Sequence, residues 1–382
     1  MAEHPRIGPN PLRIGLPDEM LGLEILVRLP PKDLVRCRAV CRSWRRLAST
    51  RDILLAHHRR QPSLPLVLLP KHRCTWGDLR AFDHRASAAA GEVRLQPIAR
   101  IDDATAISAD ASCDGLLLLS VCTFSPYIQR YFICNPTTRQ IGHVPEIDGF
   151  RATGLYRHPP TGEHRLLLHM RSKKMFGEND PCYVFALGCN QLRPRCIGCP
   201  PELAGFFDAP VLVRGNLHWS WWPYPVKKNQ SGKMITVFDT TAESFHLMRT
   251  PITEARRAYL YEVDDTLGIY SCNDTMTAVH IWVMQDYDSE VWSHKYHVKL
   301  PVAEIREHEG RDVVVVHEDR DVFVLYSFGP TLFLIDTEGK LLASSQFDAC
   351  ISLVATHRFK QSLVQHNLFS VLRGALNAWS FI

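Results

Sequence analysis

Twelve cysteines and eighteen histidines give this chain most of its capacity for chemistry, and their spacing decides what they could do with it. Cys182, Cys189, Cys196 and Cys199 contain a single Cys-x-x-Cys, the spacing at which two thiolates can share a tetrahedral zinc ion. Only one close pair exists, the reach back to Cys189 is long, and cysteine is a common small buried residue, so core or loop thiols are the expectation. His158, His164 and His169 surround a turn without the same-face spacing of a metal site. His294 and His297 flank Tyr296 on a predicted strand, where a period of two points them to opposite faces. The sequence has no Gly-rich phosphate loop, no G-x-S-x-G and no H-E-x-x-H. The carboxylate pairs Asp102-Asp103 and Asp264-Asp265 suit tight turns better than acid/base work. The expectation is therefore a non-catalytic chain with no metal and no cofactor.

Two kinds of element would have to position anything else. From Leu16 to Thr50 the sequence LPDEMLGLEILVRLPPKDLVRCRAVCRSWRRLAST reads as three short helices. Pro17 suits a first helical turn, where its missing N–H has no partner, and Asp18 and Glu19 place negative charge at the positive end of the helix dipole. Met20, Leu23 and Val27 recur at three and four, Leu21, Ile25 and Leu26 broaden that side, and Leu29-Pro30-Pro31 ends the helix. Beyond Pro31, Leu34, Cys37, Val40, Cys41, Trp44 and Leu47 form an apolar stripe, bordered by Arg36, Arg38, Arg42, Arg45 and Arg46.

Those residues resemble an F-box, the helical module that docks a protein onto the Skp-type adaptor of a cullin-RING ubiquitin ligase. The resemblance lies in Leu16-Pro17, Glu24-Ile25-Leu26, Leu29-Pro30, Leu34, Arg36-Cys37, Val40-Cys41 and Ser43-Trp44. It covers about 35 residues of specific spacing, and it implies that Leu16, Pro17, Met20, Leu23, Ile25, Leu26, Leu29, Pro30, Leu34, Val40, Cys41 and Trp44 form the adaptor-binding set. Some of these side chains, Trp44 foremost, must pack inside the module while others face the adaptor.

Composition limits the rest. At 382 residues, 46% hydrophobic and 22% charged, the chain can bury a large core in two or three domains. No apolar run approaches bilayer length and the N-terminus lacks a signal-peptide core, so a soluble intracellular protein (nucleus or cytoplasm) with reduced thiols and no membrane partner is expected. Residues 1–62 hold 12 Lys/Arg against 6 Asp/Glu, and the remainder holds 32 against 34, so the net +4 belongs to the helical segment. Because its arginines border an apolar stripe, and the resemblance implies an acidic adaptor, nucleic acid is not the expected partner.

Residues 1–14 read as a disordered tail, residues 15–62 as the F-box and residues 63–382 as an all-β region. β-rich runs such as Leu64–Leu69, Leu116–Val121, Val211–Val213, Ile235–Phe238, Val313–Val316 and Val322–Tyr326 alternate with turn clusters. Asp114-Gly115, Thr161-Gly162, Gly215-Asn216, Asp264-Asp265 and Glu318-Asp319 follow one another at 47, 54, 49 and 54 residues. A second series, Phe82-Asp83, Cys134-Asn135, Cys189-Asn190, Phe238-Asp239, Gln285-Asp286 and Ile335-Asp336, steps by 52, 55, 49, 47 and 50. Two hairpins per fifty residues is the repeat of a four-stranded propeller blade of kelch-like length. Five units are complete, and the segment near Asp83 needs the run from Cys350 to close a sixth, so six blades are favoured over seven or a distorted β-sandwich.

The Cys113-Asp114-Gly115-Leu116-Leu117 run, Asn135-Pro136-Thr137-Thr138-Arg139, Gly215-Asn216-Leu217-His218-Trp219, and Phe238-Asp239 followed by Glu243 and Phe245 resemble the F-box-associated domain of the large plant F-box families. Departures are an insert around Lys173–Asp180 and the weakly patterned stretch Asn190–Pro201. Together the resemblances imply an α+β multidomain receptor. Its F-box would hold a Skp-type adaptor and through it a cullin-RING ligase, and its β-domain would hold an unknown protein substrate for ubiquitination. The alternative is an enzymatic or small-ligand-binding propeller that carries an F-box. For the substrate face, Trp222 and Tyr224 stand in a proline-stiffened loop ahead of Lys227 and Lys228, rigid aromatics beside charge being the composition of binding hot spots.

Overall fold

The computed structural model describes residues 20–72, 75–101, 106–124, 127–145, 147, 149–170, 181–189, 193–200, 209–220, 234–252, 258–273, 275–300, 311–318, 321–348, 351–372 and 379–380. The chain divides into two compact units, residues 1–61 with 362–364, and residues 62–361 with 365–382.

In the first unit a π-helical turn, Leu21–Ile25, runs into a 3-10 turn, Leu26–Arg28, followed by α-helices Pro31–Cys37, Arg42–Leu47 and Arg51–Arg60. Leu29 and Pro30 are extended because a residue before proline avoids the α region, and Pro31 opens the next helix. The apolar stripe read as continuous from Leu34 to Leu47 is broken at residues 38–41. Cys41 is fully extended there, and its Sγ accepts the Trp44 N–H at 3.5 Å as an N-cap. Leu21, Leu26, Leu34, Ala48 and Leu54 make the core of this unit, joined by Leu363 and Val364 from the far end of the chain.

The second unit is all β apart from short helices. Strands β1 (Ser63–His72), β2 (Thr75–Phe82) and β3 (Leu95–Ile101) form an antiparallel meander, with helix His84–Ala90 between β2 and β3. Four-stranded antiparallel sheets follow. One contains β4 (Ala106–Cys113), β5 (Leu116–Phe124), β6 (Tyr127–Asn135) and β7 (Gln140–His143), and the next β8 (Phe150–Arg157), β9 (His164–Met170), β10 (Cys182–Ala186) and β11 (Arg195–Gly198). The third contains β12 (Val211–Val213), β13 (Asn216–Trp219), β14 (Met234–Asp239) and β15 (Ser244–Arg249). The last two are β16 (Ala258–Val263) to β19 (Val291–Lys299), through β17 (Thr266–Cys272) and β18 (Ala278–Asp286), and β20 (Arg311–Glu318) to β23 (Leu341–Gln346), through β21 (Asp321–Phe328) and β22 (Thr331–Asp336). Finally β24 (Ser352–Lys360) returns to pair with β1, setting Leu64 opposite Phe359 and Val67 opposite Leu353, and β25 (Trp379–Ser380) adds to β3. This is a six-bladed propeller whose first blade is completed from the C-terminal end, as the turn series required.

The periodic turns are the blade hairpins. Asp114 and Gly115, Arg214 and Gly215, and Asp264 and Asp265 all have positive φ, which is the two-residue turn that matches strand twist. At the second of these Asn216 already pairs with Val213, so the turn is Arg214-Gly215 and not Gly215-Asn216. The weakly patterned stretch 190–201 supplies β11, the outer strand of its blade.

Strands read as unbroken apolar runs because both faces of each blade are covered. Val313 and Val315 point into the core shared with the β16–β19 blade, while Val314 and Val316 point into the core shared with the first blade. Six such clusters lie between successive blades, and the last one joins β20–β23 to β1 and β24, so the ring closes through packed blade faces.

Candidate functional site

The helical unit sorts its apolar side chains by how its turns are wound. The π-helical turn widens the spiral, so Leu21, Gly22, Leu26 and Val27 face inward while Leu23 and Ile25 face out. Gly22 sits so close to helix Arg51–Arg60 that a Cβ would meet Ile53 Cδ1 at 2.8 Å. His57 fixes the bend. Its Nε2 reaches the Leu29 carbonyl at 2.8 Å, Gln61 adjoins it at 3.1 Å, and burial lowers its pKa, partly offset by the Leu29 hydrogen bond. Arg38 and Arg45 lock the interrupted segment, donating to the carbonyls of Ala48 and Arg38 at 3.1 and 2.9 Å.

This frame leaves Met20, Leu23, Ile25, Val35 and Val40 exposed, at 39–63% of their full area. They are five of the nine large apolar side chains exposed among the described residues, although the unit is far the smaller of the two. Exposed Arg28, Arg36, Arg42, Arg45 and Arg46 accompany them on the unit's surface, with Arg28–Glu24 and Arg36–Asp33 ion pairs at 2.7 and 2.9 Å. Apolar area beside arginine is the composition of a protein-binding surface.

Of the twelve F-box residues expected at a partner surface, Met20, Leu23, Ile25, Pro30, Val40 and Cys41 are exposed. Leu29 and Trp44 are half-buried against the core. Leu26 and Leu34 are wholly buried, so the structure places them in the unit's own core and not on its surface. Leu16 and Pro17 lie outside the described residues. Val35 was missed by the stripe reading. Pro31 and Leu34, three apart and both buried, mark the inner face of their helix and turn Val35 outward.

In the propeller Trp222, Tyr224, Lys227 and Lys228 lie outside the described residues, while Trp219, which leads into them, is a core residue at 1% exposure. Charged ties connect neighbouring blades. Tyr156 and Arg165 each donate to Glu243 Oε1 at 2.7 Å, and Arg195 pairs with its other oxygen. Burial alone would raise the Glu243 carboxyl, but the hydrogen bonds from Tyr156 and Arg165 outweigh it and hold the pKa below its ordinary value. Buried His218 spans Val211 O at 3.2 Å and Tyr287 Oη at 2.7 Å, and burial pushes its pKa down to about 4.

Two chemical readings of the sequence change. A bulge between β18 and β19 sets His280 opposite His297 but Trp282 opposite His294, so period two fails and both histidines of β19 lie against His280, with ring centroids 4.3 and 5.7 Å away. Cys182 is buried, and its thiol is pushed up to about 12 by burial first, with Cys199 and Cys196 contributing, so the strand pairing brings all three into one neighbourhood.

Comparison with known proteins gives a consistent match. The family model described as F-box associated beta propeller domain matches residues 83–366, and the F-box-like model matches residues 14–60. One F-box protein of Arabidopsis thaliana is 24% identical over 297 residues, covering 74% of this chain and 68% of its own length. Another from the same plant is 28% identical over 305 residues, with 72% and 77% covered, and the F-box protein CPR1 is 24% identical over 388 residues, with 89% and 87% covered.

Proposed function

Since the chain belongs to the family of F-box proteins with an associated β-propeller domain, we propose that it is the substrate-recognition subunit of a Skp-cullin-F-box ubiquitin ligase. The observation that carries this reading is the concentration of exposed apolar side chains on the helical unit, Met20, Leu23, Ile25, Val35 and Val40 among exposed arginines. A surface of that kind suits an acidic adaptor with an apolar groove, and Leu16 and Pro17 extend the same set in sequence. The propeller is then the arm that holds a target protein, with Trp222, Tyr224, Lys227 and Lys228 as its proposed contact loop. The chain itself performs no bond chemistry. It raises the effective concentration of a substrate lysine beside the ubiquitin-charged enzyme. Among the described residues no helix is long and apolar enough to cross a membrane, and an intracellular site of action is part of the proposal.

The test is adaptor binding by isothermal titration with the full chain, wild type against Leu23→Asp with Val40→Asp. Both side chains are about half exposed or more, so the melting temperature should hold within a degree or two. Loss of two apolar anchors at about 2 kcal/mol each should weaken binding by about a hundredfold or more. Unchanged affinity, or no adaptor binding by the wild type, would overturn the reading.

A further inference from the structure

We infer that Cys113, Asp114 and His164, where the second and third blades meet, form a binding site for a zinc-type divalent cation that ties those blades together. Among the described residues they are the one group of His, Cys and carboxylate side chains whose three ligand atoms lie within 4.8 Å of one another. The sequence separates them by fifty residues. The blade repeat brings them together, because Cys113 ends β4, Asp114 is the first turn residue of that hairpin, and His164 begins β9.

Three features of the site favour a metal over a plain ion pair. The first is a distance. His164 Nε2 lies 3.5 Å from Asp114 Oδ2, too long for a charge-assisted hydrogen bond, and the enclosed nitrogen has no hydrogen-bond partner. Two light donors on a tetrahedral zinc, each about 2.0–2.1 Å from it, stand roughly 3.3–3.4 Å apart, and a sulfur at about 2.3 Å stands roughly 3.6 Å from either. The His164–Asp114 separation already stands near that value, and the Cys113 sulfur lies within 4.8 Å of both.

The second is the donor set. One thiolate and one carboxylate with a neutral imidazole balance the two charges of the cation, so the occupied site is electroneutral where Cys113 and His164 are at least nine-tenths buried. On binding, the Cys113 S–H bond breaks, its proton leaves to solvent and a sulfur–metal bond forms. The third is the surrounding shell. The Arg157 backbone is hydrogen bonded to the Cys113 sulfur, and the His366 ring stands edge-on to His164 with centroids 5.0 Å apart, walling that side of the site. His366 precedes helix Leu368–Val371, whose Leu368 joins the same inter-blade core, so the cation would fasten the C-terminal segment as well.

The test uses the full chain, purified and loaded with zinc or with cobalt(II) as a spectroscopic substitute. After gel filtration the wild type should retain one metal per chain by elemental analysis. Cobalt should give a thiolate charge-transfer band, and X-ray absorption should show one sulfur with two or three nitrogen or oxygen ligands. Cys113→Ser and His164→Gln should each weaken binding at least tenfold, while Cys196→Ser with Cys199→Ser should leave it unchanged. Chelation should lower the wild-type melting temperature. The inference falls if the wild type retains no metal, or if the two site variants bind as tightly as wild type. It also falls if absorption shows several sulfurs, which would assign the metal to Cys182, Cys196 and Cys199. The absorption measurement needs no substitution, so it decides the matter even if a variant fails to fold, and adaptor binding plays no part in it.

Discussion

Leu363 and Val364 lie more than three hundred residues from the helices whose core they complete, and at 6% and 4% exposure they should be as important there as any residue of the F-box segment. Truncating Leu363 to alanine should cost about 2–3 kcal/mol, and Val364 to alanine about 1.5 more, from the buried carbons removed and the cavity left. A unit of some sixty residues has a stability of about 3–9 kcal/mol at typical values per residue. The double variant therefore loses a large share of it, about 4 kcal/mol. Hydrogen exchange read by mass spectrometry gives the assay. Amides of helix Arg51–Arg60, which contributes Leu54 to the same core, should lose protection by about a thousandfold, at a tenfold change for each 1.4 kcal/mol. Peptides from β12–β19 should keep theirs. Val371→Ala, at a side chain half exposed, serves as the control that should change nothing. If the helix keeps its protection in the double variant, the far segment is an ornament of the helical unit and the reasoning from its burial is wrong.

Removing residues 349–382 deletes β24 and leaves β1 as an unpaired inner edge. The truncated chain should elute as aggregate on size exclusion and show no cooperative melt, whereas a sharp unchanged transition would mean that the ring closes without β24. Acid should weaken the propeller through His218, whose folded pKa of about 4 lies below the ordinary 6.5. Its neutral form is fully stabilising above 6.5, and that stability is lost as pH falls from 6.5 toward 4 because the unfolded chain takes up the proton first. The loss attributable to this one group is about 2 kcal/mol at pH 5. His218→Gln should therefore be less stable at pH 7 yet flatter in urea midpoint between pH 7 and 5, and an unchanged slope would show that His218 does not titrate as a buried neutral group.

The sequence made the ring legible because propeller turns are local chemistry. Asp-Gly at 114–115 and the aspartates at 264–265 occupy backbone conformations that few residue types tolerate, so their spacing counts blades without any knowledge of long-range contacts. Ring closure could be read for the same reason, since five complete units and one incomplete unit call for a return from the C-terminal end, which β24 supplies. What period alone could not supply was any place where the period breaks. The bulge in β19 moves His294 onto the face of His297, and nothing in the residues between them announces the extra position.

The helical segment could not be divided between core and surface from its sequence for a related reason. A stripe at three and four residues assumes one uninterrupted α-helix, but the π-helical turn at Leu21–Ile25 and the extended Cys41 each reset the phase. Leu23 and Ile25 consequently face out while Leu26, one residue later, is wholly enclosed, and Leu34 is enclosed while its neighbour Val35 is not. The same resets keep apolar area from collapsing into so small a core. A regular amphipathic bundle of this size would hide Met20, Leu23, Ile25, Val35 and Val40 to gain about 1.5–3 kcal/mol for each side chain fully buried. The irregular winding prevents that, and leaves those side chains available to a partner that can bury them instead.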